Sequence, residues 1–150
     1  MIRGAKKLIA QYQNEMDNTK TMNLNSVMRK FLTHDCKFYG VHPFNALVGP
    51  DQISEAVYSP LRSAWEPIQR RQDIFIAGQN ELDGSYWVMS MGHYMGLFKK
   101  PWLYIQPTDR MCFLRYSEFY KILDGKIASI AFFCDIIGVM KQAGYDPLPP

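Results

Sequence analysis

The sequence predicts an α+β fold in which helices precede a run of antiparallel strands. Apolar residues in the first 66 positions recur every three or four residues, which is typical of amphipathic helices. The rest of the chain holds alternating or continuous apolar stretches, which favour strands. An Asp124-Gly125 pair separates two of these stretches and predicts a two-residue hairpin turn.

The helical part divides into three segments. Apolar positions 8, 9, 12 and 16 predict an amphipathic helix over residues 5–19. A second helix carries apolar residues from position 24 to 32, with Asn23 as its N-cap. Pro50 suits the first turn of a third helix, which Ser59-Pro60 restarts and which carries Trp65 near its end.

The strands are predicted where the spacing of apolar residues changes from the helical three or four. A short strand over 36–39 precedes a loop rich in Gly and Pro, and a short helix is expected within the tail, 136–144. Residues 98–110 are too irregular for a strand, and either a mobile lid or a subunit contact would suit them. The remaining strands are predicted at Asp73–Ala77, Tyr86–Leu97, Met111–Leu123 and Ile127–Asp135.

Length and composition restrict the function. The chain has 150 residues, which suits one domain over 1–150, and its 47% hydrophobic content excludes a disordered chain. A net charge of +3 without a clustered basic face disfavours nucleic-acid binding. No apolar run is long enough for a membrane span or a secretory signal, and three widely spaced cysteines form no zinc or disulfide pattern. We therefore expect a reduced, cytoplasmic protein with no metal site.

The hairpin predicts which side chains share a face. If Asp124 and Gly125 form the turn, Glu118 lies on the same face as Asp135. Two carboxylates in an aromatic pocket would separate their pKa values, leaving one as an acid and the other as a base. The aromatic residues expected to contact a substrate are Tyr39, Trp65, Trp87, Tyr94, Tyr116, Tyr120 and Phe133.

Each candidate also has a structural interpretation. Asp135 could cap the helix of the tail, and Glu118 could face solvent or pair with a neighbouring basic residue. His93 lacks a ligand-spaced partner and could be an ordinary strand histidine. The tryptophans, Trp65 and Trp87 among them, could pack in the core.

Three segments resemble a known family. The segment ILDGKIASIAFFCDIIGVMKQAG resembles the end of SnoaL-like polyketide cyclases in the NTF2-like superfamily. GPDQISEAVYSPLRSAW is similar to a helix of that family, and QPTDR to the lead into its penultimate long strand. The resemblance covers roughly residues 5–145. It implies a cone, in which a curved antiparallel sheet is wrapped by N-terminal helices around a pocket.

The resemblance also implies an activity. Such cyclases close a ring by intramolecular aldol condensation without metal or cofactor, with an acid/base aspartate at the position of Asp135. Two positions depart from the family pattern: Glu118 stands where a histidine often assists, and His93-Tyr94 stands where Arg and His often occur. The expected mechanism uses Asp135 with Glu118, His93 or Tyr94 as its partner.

The expected substrate is a hydrophobic, carbonyl-bearing small molecule, and the expected assembly is a homodimer that packs its exposed sheet surface. Two other functions remain open at this stage. One is a ketosteroid-isomerase-like or epoxide-hydrolase-like activity in the same fold. The other is a non-catalytic module that binds a small molecule or another protein, since fold alone does not decide function.

Overall fold

A curved, open sheet of six strands forms the frame of the molecule. The computed structural model describes residues 1–148. The strands are β1 (Leu32–Gly40), β2 (Ala46–Val48), β3 (Gln69–Gln79), β4 (Tyr86–Leu97), β5 (Met111–Leu123) and β6 (Lys126–Cys134). Their order across the sheet is β2-β1-β6-β5-β4-β3.

The helices confirm the predicted α+β order, since all but the last precede the long strands. The helices are α1 (Ile2–Asn18), α2 (Leu24–Phe31), α3 (Pro50–Ile53), α4 (Ser59–Ala64) and α5 (Ile136–Gln142). A short 3₁₀ turn, Thr21–Asn23, precedes α2. A π-helical turn, Ser54–Tyr58, joins α3 to α4, so that the chain is helical from residue 50 to 64. The single-domain assignment stays a prediction, and Pro149 and Pro150 lie outside the described residues.

The two faces of the sheet differ in burial. On β4 every second residue from Val88 to Gly96 is buried, and on β5 the buried set runs from Cys112 to Tyr120. The alternating residues point to the opposite side, where many are partly or fully exposed. We call these the inner face, which the helices cover, and the outer face.

One pair of strands contradicts the prediction of a wholly antiparallel sheet. Strand β1 runs parallel to β6, with Phe38 opposite Ile130. All the other pairs are antiparallel. A parallel pair needs a long crossover connection, and here nearly the whole chain lies between the two strands. Local sequence patterns pair only strands that are neighbours along the chain, so they do not predict the pairing of β1 with β6.

The hairpin turn at Asp124-Gly125 is confirmed, but the predicted register holds for only two pairs. Ile122 lies opposite Ile127, and then Lys121 lies opposite Ser129, so that Ala128 is an extra residue in β6. This β-bulge moves every later residue of β6 to the other face. Phe132, not Ala131, therefore lies opposite Glu118.

A second bulge lies in the edge strand β3. Gln72 pairs with Gly92 and Ile74 with Met91, which leaves Asp73 unpaired. A Cβ at Gly92 would overlap the Arg71 carbonyl oxygen, so that only glycine allows this close approach. Glycine at position 92 thus accommodates the bulge of the neighbouring strand.

The chain leaves the sheet at Asp135, which begins α5. Its carboxylate accepts a hydrogen bond from the Gly138 amide at 2.8 Å, so the interpretation of Asp135 as a helix cap is confirmed. A Cβ at Gly138 would lie 2.5 Å from that carboxylate. The Gln142 side chain then bonds both backbone polar groups of Phe113 at 2.8 Å, as a neighbouring strand would. These contacts give a physical reason for the Gly and Gln of the tail segment.

Residues 98–110 fold as a loop tied to the core. Trp65 stacks on Phe98 with ring centroids 4.6 Å apart and meets Trp102 edge-on. Phe98 and Trp102 are buried, whereas Tyr104 is exposed at the tip of the loop. The buried anchors disfavour a freely moving lid, and they confirm the core interpretation of Trp65.

Candidate active site

A buried carboxylate lies at the centre of the inner face. Glu118 is 1% exposed, and its two oxygens accept hydrogen bonds from three tyrosine hydroxyls. Tyr94 donates at 2.6 Å, Tyr120 at 2.5 Å and Tyr58 at 3.0 Å. Arg70 adds an ion pair at 3.4 Å. A buried charge needs such compensation, and Glu118 has it from four donors.

The sequence brings these groups together through strand alternation. Tyr94 and Glu118 occupy inner positions of the paired strands β4 and β5, and Tyr120 lies two residues beyond Glu118 on the same face. Tyr58 enters from the π-helical turn above the sheet. Burial, with the charge of Glu118 as a further cause, raises the pKa of Tyr58 and Tyr120 well above the ordinary value. The hydroxyls therefore remain neutral donors.

Arg70 connects this centre to the opening of the site. Its guanidinium lies between Glu118 and Asp17 and over the rings of Tyr94 and Tyr116. Burial acts to lower the pKa of Arg70, but Tyr94 and Glu118 outweigh it and the pKa is raised well above its ordinary value. Arg70 is therefore a permanent positive charge.

A small cavity of about 30 Å³ opens beside Arg70, and a wider outer chamber of about 420 Å³ adjoins it. Asp17, Arg62 and Ile68 line both spaces and so mark the boundary. The inner cavity is lined by Met16, Asp17, Tyr58, Leu61, Arg62, Ile68, Arg70 and Tyr94. It therefore joins polar donors of the buried cluster to a route from solvent.

Five of the predicted site residues, Glu118 among them, do lie on the inner side. Tyr94 and Tyr120 bond Glu118, and Tyr94 also lines the inner cavity. Tyr116 forms a hydrogen bond with Ser90 at 2.9 Å, and Trp65 donates to the Cys112 carbonyl oxygen at 3.2 Å. Glu118 does not face solvent, which excludes that alternative.

The other predicted residues do not share this interior. Asp135 is exposed beyond the end of β6, because the bulge at Ala128 reverses the later residues of that strand. The expected placement of Asp135 beside Glu118 is therefore wrong. Four more residues lie on the outer face by strand alternation, namely Tyr39, Trp87, His93 and Phe133.

Sequence reasoning missed Asp17, Tyr58, Arg62 and Arg70. Arg70 lies before the predicted start of β3, and it reaches the site only because that strand begins at residue 69. Asp17 follows the last buried residue of α1, a position that looks like an ordinary solvated one. An Arg close to the predicted strand was the one available signal, and its inner position depends on the bulge at Asp73 as well as on the strand length.

Residues 1–148 contain neither a metal-binding cluster nor a membrane-spanning helix. No group of three or more His, Cys, Asp or Glu side chains there is placed to hold a metal ion. In the same part of the chain no helix has the length and apolar character needed to cross a membrane.

Comparison with known proteins rests on structure alone, since no protein-family model and no curated protein sequence matches. A candidate SnoaL-like polyketide cyclase from Jannaschia sp. CCS1 aligns with a TM-score of 0.69 at 15% identity, over 95% of this chain and 96% of that one. An NTF2-like protein from Burkholderia thailandensis E264 gives 0.66 at 16% identity, over 95% and 98%. An LEH-like epoxide hydrolase of M. tuberculosis gives 0.62 at 13%, over 95% and 90%.

Sequence identities of 13–16% do not show that these proteins belong to one family. The agreement of the backbones over nearly the full length of each chain does show that they share a fold. The implied cone of helices and curved sheet is therefore confirmed, apart from its one parallel strand pair. The chain has the NTF2-like fold, the fold of structures named as SnoaL-like polyketide cyclases.

Proposed function

We propose that this protein is an enzyme that closes a ring in a polyketide-like carbonyl substrate by aldol-type addition, without metal or cofactor. The observation that carries this proposal is the inner cavity, where Arg70 and Tyr94 meet a carboxylate, Asp17, at the boundary with the outer chamber. The shared fold with structures named as polyketide cyclases supports the same class of reaction.

Arg70 and Tyr94 act on the carbonyl oxygen. Aldol addition places negative charge on that oxygen, and fixed donors in a water-poor site stabilise such charge. The inner cavity has room for about one small group, so a carbonyl is the part of a substrate that fits beside these donors. Burial raises the pKa of Tyr94, which keeps its proton on the hydroxyl until an alkoxide forms.

Asp17 acts as the base. It removes a proton from the carbon next to one carbonyl, and that carbon forms the new bond to the second carbonyl carbon. The second oxygen becomes an alkoxide and takes the proton that Tyr94 otherwise donates to Glu118. Asp17 then passes its proton to Tyr94 through solvent, which restores both groups; the Asp17 side chain is partly exposed. The product is an isomer of the substrate, so nothing else is consumed.

Glu118 serves as a positioning residue in this mechanism. Its oxygens already accept hydrogen bonds from four donors, so they are occupied within the buried cluster. It orients Tyr94 and Arg70 toward the cavity and balances the guanidinium charge. Asp135 and His93 have no part in the proposal, because both lie outside the interior.

Asp17→Asn and Tyr94→Phe are expected to lower kcat by about 10²-fold or more, the usual scale of a general acid or base. The measurement is ring closure of a methyl β-keto ester that carries a second ketone, followed by chromatography. His93→Asn on the outer face is the matched control and should keep the parent rate. Parent-like rates in both site variants would refute these roles. Binding of the ester without ring closure in the parent protein would favour the binding module instead.

We also propose that a second copy of the chain covers the outer face. An apolar groove of about 570 Å³ lies there between β3 and β6, and large apolar patches on a soluble protein mark interfaces. A two-fold dimer presents the same patch from both subunits, so an apolar groove can match itself. The groove is lined by Ile76, Ala77, Gly78, Gln79, Asn80, Trp87, Met89, Phe119, Ala131 and Phe133.

Ile76→Arg and Phe133→Arg should convert the dimer to a monomer, because each places a charge in the shared apolar surface. Light scattering after size-exclusion chromatography should give twice 17.4 kDa for the parent and 17.4 kDa for the variants. Tyr104→Arg, at a more exposed aromatic position in the loop of residues 98–110, should remain dimeric. A parent protein of 17.4 kDa at micromolar concentration would contradict the dimer.

A further inference from the structure

We infer that the substrate of this site carries a carboxylate, which binds between Arg62 and Arg70 at the boundary of the inner cavity and the outer chamber. The inference rests on the proposed function for the location of the reaction, and it adds the chemical class of the substrate. Two observations carry it, one for each arginine.

Arg62 is a half-buried cation that has no carboxylate partner in residues 1–148. Its guanidinium donates to the carbonyl oxygens of Met16 at 2.6 Å and Thr19 at 2.8 Å, and both acceptors are neutral. Burial lowers the pKa of Arg62 although the charge of Asp17 acts to raise it, which reflects the cost of an incompletely compensated charge. The negative end of the α1 dipole offsets a part of that cost only. An anionic group in the adjoining cavity would supply the missing compensation.

The hydrogen bonds between Arg70 and Asp17, the carboxylate on its solvent side, are long. Asp17 contacts Nε and Nη2 of Arg70 at 3.2–3.4 Å, whereas strong charge-assisted bonds are about 2.7–2.9 Å long. The Asp17 side chain is 42% exposed, so it can turn toward solvent without a large change in packing. Nε and Nη2 form the fork edge that binds a carboxylate in two places. Asp17 therefore occupies a position that a ligand carboxylate can take.

The sizes of the two spaces limit the rest of the molecule. About 30 Å³ beside Tyr94 admits a single carbonyl, while about 420 Å³ outside admits the body of a small ligand. Pro67 and Ile68 offer apolar surface to that body. A small keto acid, with its carboxylate a few atoms from the carbonyl, satisfies both limits. Its binding would also release Asp17 from Arg70 and free that carboxylate to act as the base.

The test compares 4-oxo-4-phenylbutanoate with its methyl ester, which differ in charge and share the rest of the skeleton. Isothermal titration calorimetry should show that the acid binds the parent protein at least tenfold more tightly than the ester. Asp17→Asn should strengthen binding of the acid severalfold and leave the ester unchanged, because the competing carboxylate is gone. Arg62→Met should abolish the preference, and Arg62→Lys, which keeps the charge, should retain part of it. Arg3→Gln, an exposed position on α1, is the control and should behave as the parent.

Equal affinity for acid and ester in the parent protein would overturn the inference, as would weaker acid binding in Asp17→Asn. A purely structural Arg62 would lower the melting temperature in Arg62→Met without changing the ratio of the two affinities, and that result would also overturn it. These outcomes differ from a failure of the proposed function. A preference for the acid without ring closure refutes the reaction alone, whereas ring closure without that preference refutes the carboxylate alone.

Discussion

Glu118→Ala is expected to lower the free energy of unfolding by about 3–5 kcal/mol, the scale for breaking a buried ion pair on one side. The substitution leaves Arg70 buried without its inner carboxylate. It also leaves the hydroxyls of Tyr58, Tyr94 and Tyr120 without an acceptor, and each unsatisfied group adds a desolvation cost. Urea denaturation followed by circular dichroism measures the loss.

Two further variants separate the effect of burying the carboxylate from the effect of leaving the Arg70 charge unpaired. Glu15→Ala removes a carboxylate whose ion pair with Lys30 is exposed, and it should cost less than about 1 kcal/mol. Adding Arg70→Met to Glu118→Ala should recover part of the loss, because the orphaned cation is then gone. A loss below about 1 kcal/mol for Glu118→Ala alone would show that the cluster contributes little to the fold.

Stability is expected to fall steeply above about pH 10. Five buried tyrosines have a pKa raised above the ordinary value, with burial as the largest cause. A tyrosine in the unfolded chain ionises near pH 10 while its folded counterpart keeps its proton, so the unfolded state binds fewer protons. The stabilisation is thus complete below pH 10 and is lost as the pH rises toward the folded pKa. The five are Tyr12, Tyr58, Tyr94, Tyr116 and Tyr120.

The size of this effect follows from linkage. Each such tyrosine removes about 1.4 kcal/mol per pH unit, so the five together remove about 7 kcal/mol per unit. Burial also raises the pKa of Cys36 and Cys134 to about 12, which acts with the same sign from about pH 9. Because a domain has about 5–15 kcal/mol in total, unfolding should be complete within one to two pH units above 10.

Tyr12→Phe is a sharp control for the alkaline transition. The Tyr12 hydroxyl is buried and has no hydrogen-bond partner within residues 1–148, so its loss should not weaken the fold at pH 7. The variant should lower the slope above pH 10 by about 1.4 kcal/mol per pH unit, about one fifth of the contribution of the tyrosines. Urea midpoints between pH 8 and 11, with tyrosinate absorbance as the second signal, measure it. A flat stability curve up to pH 11 would contradict the burial of these hydroxyls.

The long strands were predictable because their patterns are local. Strands β4 and β5 begin and end where the apolar pattern predicts, and the turn at Asp124-Gly125 needs only those two residues. The parallel pair of β1 and β6 depends on contacts across most of the chain, which no local pattern contains. The fold class therefore followed from the sequence, while the strand order required the whole chain.

Only a part of the site was predicted, because one extra residue in a strand moves every later side chain to the opposite face of the sheet. Alternation along β5 correctly grouped Glu118 with Tyr116 and Tyr120. The extra residue at Ala128 then placed Phe133 and Asp135 outside, and nothing in the local sequence distinguishes a bulge there from a regular strand. Asp17 lies on α1, 53 residues before Arg70 in the chain, and only packing shows that the two side chains meet.

The bulge at Asp73 also bears on how these molecules behave in concentrated solution. Strand β3 is an edge of the sheet and is eleven residues long, so its free backbone groups could template the addition of another chain. The unpaired residue bends the edge and places a carboxylate in its middle, next to the charged Arg71. A flat incoming strand meets a kink and two charges there. The bulge that brings Arg70 to the inner face thus also discourages fibrous growth along that edge.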